Sequence, residues 1–472
     1  MDPKSGGTPP PVIVARADHP VSRSHISGNA LKVLYRLKDA GYQAFLVGGC
    51  VRDLLIGIEP KDFDVATDAS PEEVRRLFRN CRLIGRRFRL AHIRFGYQVI
   101  EVATFRAAGA PMAPEPDLDG VTDEEAEEAE PEAEDEPNGN VDRAHDERGR
   151  LLRDNVYGTI DQDVWRRDFT CNALYYNIED FSIWDYVGGV EDVRARSLRL
   201  IGDPGTRYRE DPVRMLRAVR FEAKLGFTIH ESARAPFATL AGLLEHIPPA
   251  RLLDEFQKLF LAGFGQRSFD LLRGHGLLDH LFPATAAYLA ADKDGMALAL
   301  IRAGLANTDR RVAEGKSVTP MFLFAVMLFG PVSAAAQKRF DAGLPPTVAI
   351  AEAVDEVVVR QNRRIGIPKR FSMPMRELLA LQPRFHRREG RRALGFLAHP
   401  RFRAAYDFLL LRAEAGAEDP AIARWWTEIQ SLTPEQQRER VGADGGGGPE
   451  SGPRRRRRRR GGRGRATPPA EG

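Results

Sequence analysis

Between Ser24 and Ala40 the apolar residues Ile26, Ala30, Val33, Leu34 and Leu37 recur at helical spacing, which predicts an amphipathic helix closed by Gly41. The period then changes. Ala44 to Val47 is a short apolar run expected to form a buried strand, Gly48-Gly49 a turn, and Val51 to Ile56 the start of a helix. A strand is expected over Phe63 to Ala66, a helix over Pro71 to Phe78, and a hairpin over Arg89 to Arg94 and Gln98 to Phe105, turning at Gly96. Strands alternating with helices imply a small α/β unit. Beyond Pro212 nearly every segment reads as amphipathic helix, including Val213 to Leu225, Ala250 to Leu261, Ser268 to Leu278, Met321 to Leu328 and Arg401 to Ala415.

Two stretches break this patterning. Between Ala113 and Glu147 there are 16 acidic residues and one Arg, and between Arg454 and Arg465 nine Arg and no acid. The formal net charge is +4; without these two segments the rest carries +10, as suits a protein that holds a polyanion. The acidic stretch is expected to be a mobile loop, either a shield over the basic body or an idle spacer. The Arg-rich stretch reads as a disordered cationic arm for RNA phosphates, a membrane-surface contact or a protein-docking tail being the alternatives. With 472 residues the chain is too long for one core, so several domains are expected. No apolar run of about 18 residues is evident, so no membrane span is expected. The dispersed cysteines, Cys50, Cys81 and Cys171, lack metal-ligand spacing and suggest reduced thiols in a cytoplasm.

Candidate chemistry sits in LVGGCVRDLLIG (Leu46 to Gly57) and KDFDVAT (Lys61 to Thr67). A strand entering Gly48-Gly49 and then a helix can bring bare backbone N–H groups against a phosphate. In an extended segment Asp62 and Asp64 project to one side while Phe63 points to the core. Two close carboxylates repel unless a cation lies between them, and Mg²⁺ favours such oxygen ligands. An Asp-x-Asp alone is more often a solvated edge; beside a Gly-Gly turn, the catalytic reading prevails. Glu101, a charge inside the apolar run Val99 to Ala103, also calls for a partner.

These motifs resemble the signature of class II tRNA nucleotidyltransferases and bacterial poly(A) polymerases. The later segments RRDFTCNALYYN (Arg166 to Asn177), DYVGGVEDV (Asp185 to Val193) and IGDPGTRYREDPVRMLRAVRF (Ile201 to Phe221) follow in that family's order. The resemblance implies an α+β architecture: a DNA polymerase β-like nucleotidyltransferase head with a mixed sheet, then all-α neck, body and C-terminal domains. It implies Asp62, Asp64 and Asp168 as catalytic, and two Mg²⁺ held by Asp62, Asp64 and a third carboxylate, Asp168 or Glu101. Gly48, Gly49, Arg52, Asp53, Arg167 and Asn172 are then expected to bind the nucleotide. Asp211 and Arg214 should read the base, with Arg217 a phosphate or structural contact. Asp211-Pro212 also reads as a helix N-cap followed by a first-turn proline.

LIGRRFRLAHI (Leu83 to Ile93), LLRDNVYGTIDQDVWRRDF (Leu151 to Phe169), RRIGIPKRF (Arg363 to Phe371) and HPRFRAAYDFLLLRA (His399 to Ala413) resemble the poly(A) polymerases rather than the CCA-adding branch. Arg86, Arg87 and Arg89 are candidates for RNA contact, a packing role being the alternative. The expected activity is transfer of AMP from ATP to RNA 3′ ends without a template; CCA or A addition to tRNA is the alternative. Expected partners are messenger and regulatory RNA 3′ ends, ATP and RNA-decay proteins, with the chain monomeric and cytoplasmic. The expected division is a disordered N-terminus (1–24), a head (25–185) holding the acidic insertion (107–150), a neck (186–265), a body (266–440) and a disordered tail (441–472).

Overall fold

The structure, a computed structural model, describes residues 9–85, 89–107, 143–145, 151–154 and 157–443. Arg86 and Arg87 lie outside the described residues, as do most of the acidic insertion and nearly all of the Arg-rich tail.

The head is built on ten strands: β1 (Val12–Val14), β2 (Ala44–Val47), β3 (Asp64–Thr67), β4 (Cys81–Ile84), β5 (Leu90–Phe95), β6 (Gln98–Thr104), β7 (Arg143–His145), β8 (Leu151–Asp154), β9 (Leu174–Asn177) and β10 (Ile183–Asp185). Eight form one mixed sheet in the order β1-β10-β9-β2-β3-β6-β5-β4, while β7 and β8 pair separately. Only β3 and β6 run parallel in the large sheet; its other pairs are antiparallel.

Alternation along the strands gives the sheet two faces. Leu46, Val65, Ile100 and Val102 pack with Val33, Leu34 and Leu37 of α1 (Gly28–Asp39) in the main core. Phe45, Val47, Ala66 and Tyr175 turn the other way into a small cluster with Phe105, Ile160 and Val164. The second face therefore stays partly open, and Asp64 and Glu101 share its parity. Helices α2 (Gly49–Leu55), α3 (Pro71–Leu77), α4 (Ile160–Arg166), α5 (Gly189–Arg194), α6 (Pro204–Glu210) and α7 (Val213–Leu225) accompany the sheet and lead into the helical remainder of the chain.

The N-terminus departs from expectation. Residues 9–24 are not structureless: β1 adds an edge strand, Val21 is buried, and His19 Nε2 lies 2.9 Å from the Phe181 carbonyl oxygen. Sheet pairing and one polar anchor supply what a Pro-rich stretch without periodicity does not advertise. Likewise the far end of the acidic insertion is paired, Arg143 standing opposite Asp154.

Downstream, α7 packs against helices Pro249–Phe260 and Gly265–Gly274. One apolar cluster runs from Val21 to Leu411. A second gathers Phe385, Phe396, Phe402 and Trp426 with other residues between 381 and 441. Helix Pro320–Asp341 is long and apolar enough to cross a membrane by length and composition, which the sequence reading had not anticipated. Its stretch Leu323–Phe329, with Val332, is buried against neighbouring helices, the environment of a core helix.

Candidate active site

Strand β2 delivers the chain to Gly48, whose φ of 78° and ψ of −133° fall where only glycine is comfortable. A β-carbon there would lie 3.6 Å from Arg167 Nη1, and one on Gly49 would lie 3.3 Å from Arg52 Nη2. Two guanidinium groups thus flank a turn without side chains. Arg52 is buried, donating from Nε to Asp53 Oδ1 (2.8 Å) and from Nη1 to Asn172 Oδ1 (2.6 Å). Gly48, Gly49, Arg52, Asp53, Arg167 and Asn172 therefore come together as one neighbourhood.

Asp64 lies one step beyond the Leu46–Val65 pair of β2 and β3, beside the end of β2 that leads into this turn. Phe63 enters the main core, Asp62 is exposed, and Asp64 opens β3 at 8% exposure. Across the parallel pair β3–β6, Asp64 stands in register with Glu101, and across β6–β5 Glu101 stands in register with His92. Glu101 Oε1 takes His92 Nε2 at 3.1 Å, while its Oε2 is buried with no hydrogen-bond partner among the described residues. A buried carboxylate oxygen without a donor is costly unless a positive charge meets it. Hard oxygen donors and this uncompensated atom fit a divalent cation. Among the described residues no three His, Cys, Asp or Glu side chains stand at metal-ligating spacing, so the carboxylates neighbour one another across strands without forming a closed cluster.

Asp168 is placed differently. Its Oδ2 lies 2.8 Å from both Nε and Nη2 of Arg217, and its Oδ1 accepts from the Phe169 N–H at 2.7 Å. Burial would raise the Asp168 carboxyl, but the Arg217 charge and these hydrogen bonds outweigh it and hold the group below its ordinary range. Asp168 and Arg217, expected in separate roles, are partners.

On α7 the row Arg214, Arg217 and Arg220 is buried, not solvated. Arg214 Nη1 donates to the Arg207 carbonyl (2.5 Å) and to Glu210 Oε2 (3.2 Å). Helix α7 is entered as the sequence suggests: Asp211 is extended and its Oδ1 accepts from the Val213 N–H at 3.2 Å, while Pro212 already has helical angles (φ −60°, ψ −24°). Asp211 Oδ2 is held by Arg251 Nη2 at 2.7 Å. Arg89 pairs with Glu72 on the surface at 2.6 Å.

Arg251, His92, Asp163, Tyr175 and Arg207 were missed by the sequence reading. Arg251, Arg207 and Tyr175 reach their motif residues from other elements and His92 meets Glu101 across a hairpin, and only Asp163, four residues before Arg167, carried a local signal, the i,i+4 spacing of a helical ion pair.

Three family profiles match the chain: the Poly A polymerase head domain over 44–199, the probable RNA and SrmB-binding site of polymerase A over 226–289, and the polymerase A arginine-rich C-terminus over 342–461. The chain is 47% identical over 437 residues to Poly(A) polymerase I of Escherichia coli O157:H7, covering 91% of this chain and 88% of that protein. It is 44% identical to Poly(A) polymerase I of Haemophilus influenzae over 432 residues, 91% of this chain and 90% of the relative. A CCA-adding enzyme of Geobacillus kaustophilus is 34% identical over 258 residues, covering 55% of each chain. Among solved structures, the Thermotoga maritima CCA-adding enzyme complexed with tRNA superposes with a TM-score of 0.54 at 18% identity, covering 86% of this chain and 82% of that one, a likeness of fold.

Proposed function

The chain belongs to the poly(A) polymerase family, and from that premise we propose how its residues carry out the family's reaction. The activity is polynucleotide adenylylation: AMP passes from ATP to an RNA 3′ end without a template, and pyrophosphate leaves. The observation that carries the site assignment is Glu101 Oε2, buried and without a donor among the described residues, on a residue in register with Asp64.

Asp62, Asp64 and Glu101 are the residues that would hold two Mg²⁺. Bound there, such ions acidify the attacking 3′-hydroxyl and neutralise the departing pyrophosphate. The Gly48-Gly49 turn admits the triphosphate against bare backbone, and Arg52 and Arg167 face it from either side. Asp53 and Asn172 fix Arg52, so its charge is presented in one place. Asp211 and Arg214 offer a carboxylate and a guanidinium to the edge of the adenine, a pairing able to choose one base over another. Asp168 serves by locking Arg217 and joining the head to α7. On the surface, Arg89 would exchange Glu72 for an RNA phosphate, with Arg86 and Arg87 as companions.

The test is extension of a generic RNA, and of tRNA lacking its terminus, with ATP or CTP supplied separately. Long tails with ATP alone are expected. Asp62→Ala, Asp64→Ala and Glu101→Gln should abolish or severely reduce extension while far-UV circular dichroism stays unchanged. Wild-type activity in Glu101→Gln would remove it from the carboxylate set, and C, C, A addition followed by arrest would replace polyadenylation.

A further inference from the structure

Arg167 is held from behind by a buried pair that lies outside the nucleotide-binding residues named above. It sits at the C-cap of α4, and Asp163, one turn earlier, accepts on Oδ2 from Arg167 Nε (3.2 Å) and Nη2 (3.0 Å). Tyr175, reaching over from β9, accepts from Arg167 Nε (2.9 Å) and donates its hydroxyl to the same Asp163 oxygen (2.8 Å). The ring of Tyr175 also underlies the guanidinium, 5.2 Å from Cζ to ring centroid. Both partners are deeply buried, Asp163 at 7% and Tyr175 at 0% exposure. The backbone is fixed as well: Arg207 Nη2 donates to the carbonyls of Arg166 (3.0 Å) and Arg167 (2.5 Å).

We infer that Asp163 and Tyr175 are positioning residues for the triphosphate: they grip the Nε/Nη2 edge of Arg167 and so aim Nη1 at the Gly48 turn. This rests on the reading of Arg167 as a phosphate-binding group. The geometry of the fork carries the argument. A guanidinium is planar, so holding one edge on a carboxylate and a phenol fixes the direction of the other. That other end lies 3.6 Å from where a Gly48 β-carbon would stand and donates to the Asn172 carbonyl at 3.5 Å, so it borders the turn. Burial alone would raise the Asp163 carboxyl, but the charges of Arg167 and Arg166 and the Tyr175 and Arg167 hydrogen bonds keep it below the ordinary range. Burial raises the Tyr175 hydroxyl well above its ordinary value, so it stays a neutral donor to the carboxylate. An ion-paired arginine aimed in advance loses less freedom when phosphate arrives, which favours affinity.

The test is equilibrium binding of ATP and of AMP to the full chain in Mg²⁺ without RNA, comparing wild type with Tyr175→Phe, Asp163→Asn and Arg167→Ala. Tyr175→Phe keeps the ring and removes only the hydroxyl, so it remains informative if Asp163→Asn folds poorly. Loss of one such hydrogen bond should weaken ATP binding about three- to tenfold, while AMP binding stays within about twofold because AMP lacks the β- and γ-phosphates Arg167 would meet. Equal losses for ATP and AMP in Tyr175→Phe would mark a merely structural role and overturn the inference. Unchanged ATP affinity in Tyr175→Phe, with Arg167→Ala weakened, would overturn it while sparing Arg167. Unchanged ATP affinity in Arg167→Ala would overturn the reading beneath both.

Discussion

Asp168 and Arg217 meet through one oxygen, with Nε and Nη2 of the arginine each 2.8 Å from Oδ2, and this pair joins the RRDF segment of the head to α7 of the neck. Both side chains are buried. Removing one partner of such a pair strands the other charge in a poor solvent, typically at about 3–5 kcal/mol. Arg217→Ala should therefore lower the urea midpoint sharply, and Asp168→Ala together with Arg217→Ala should cost less than the two single changes added. Additive losses would show that the two side chains do not depend on each other.

Gly188 and Gly189 look alike in sequence and are required for different reasons. Gly188 has φ 79° in the left-handed region with open space around it, so Gly188→Ala should cost about 1–2 kcal/mol of backbone strain. Gly189 has no such φ, but a β-carbon there would overlap the Thr170 carbonyl oxygen and crowd Leu174. Backbone cannot step aside cheaply, so Gly189→Ala should destabilise more than Gly188→Ala in thermal unfolding. Gly188→Asn should recover part of the loss at its position, and Gly189→Asn none.

Sequence reading succeeded where the signal was local. Val213–Leu225 was legible to the residue because its apolar stripe is bounded by Pro212 and Gly226. The Gly48-Gly49 turn stands between β2 and α2, where a strand-to-helix change was expected, and needed no tertiary knowledge. What failed was non-local. Nothing near Asp168 announces Arg217, and nothing near Glu101 announces that a parallel pairing sets it beside Asp64. Val12–Val14 escaped because three residues carry too little period to be distinguished from a tail. The long body helix was read only as far as Leu328, since Gly330-Pro331 looks like a terminator.

Acid should loosen the C-terminal core. Burial would raise the Glu418 carboxyl, but hydrogen bonding from His386 and the charge of Arg412 outweigh it and bring it down to about 2. Arg412 Nη2 lies 2.9 Å from Glu418 Oε2. A folded-state value below the unfolded one of 4.5 means that this stabilisation is complete above about pH 4.5 and is lost as pH falls toward 2. Trp425 and Trp426 are buried in the same cluster and report on it by fluorescence. Wild type should lose their buried signal across that window. Glu418→Gln should be less stable at pH 7 and show a flatter acid transition; an unchanged transition would free Glu418 of this role.

Pro331 lies inside helix Pro320–Asp341 and offers no N–H to the carbonyl four residues earlier, that of Met327. Thr285, from the earlier helix Pro283–Ala291, fills the gap: its Oγ1 donates to the Met327 carbonyl at 2.8 Å, and the residue is 1% exposed. Thr285→Val keeps the shape and removes the donor, leaving a buried carbonyl unsatisfied at about 1–3 kcal/mol. Adding Pro331→Ala supplies a backbone N–H at the position that should bond Met327. The double variant should then be more stable than Thr285→Val alone, although Pro331→Ala in the wild-type background gains little because Thr285 already occupies that oxygen. Denaturant midpoints of the four proteins would test the coupling directly. Equal effects of Pro331→Ala with and without Thr285 would mean that the helix carries its proline without help from its neighbour.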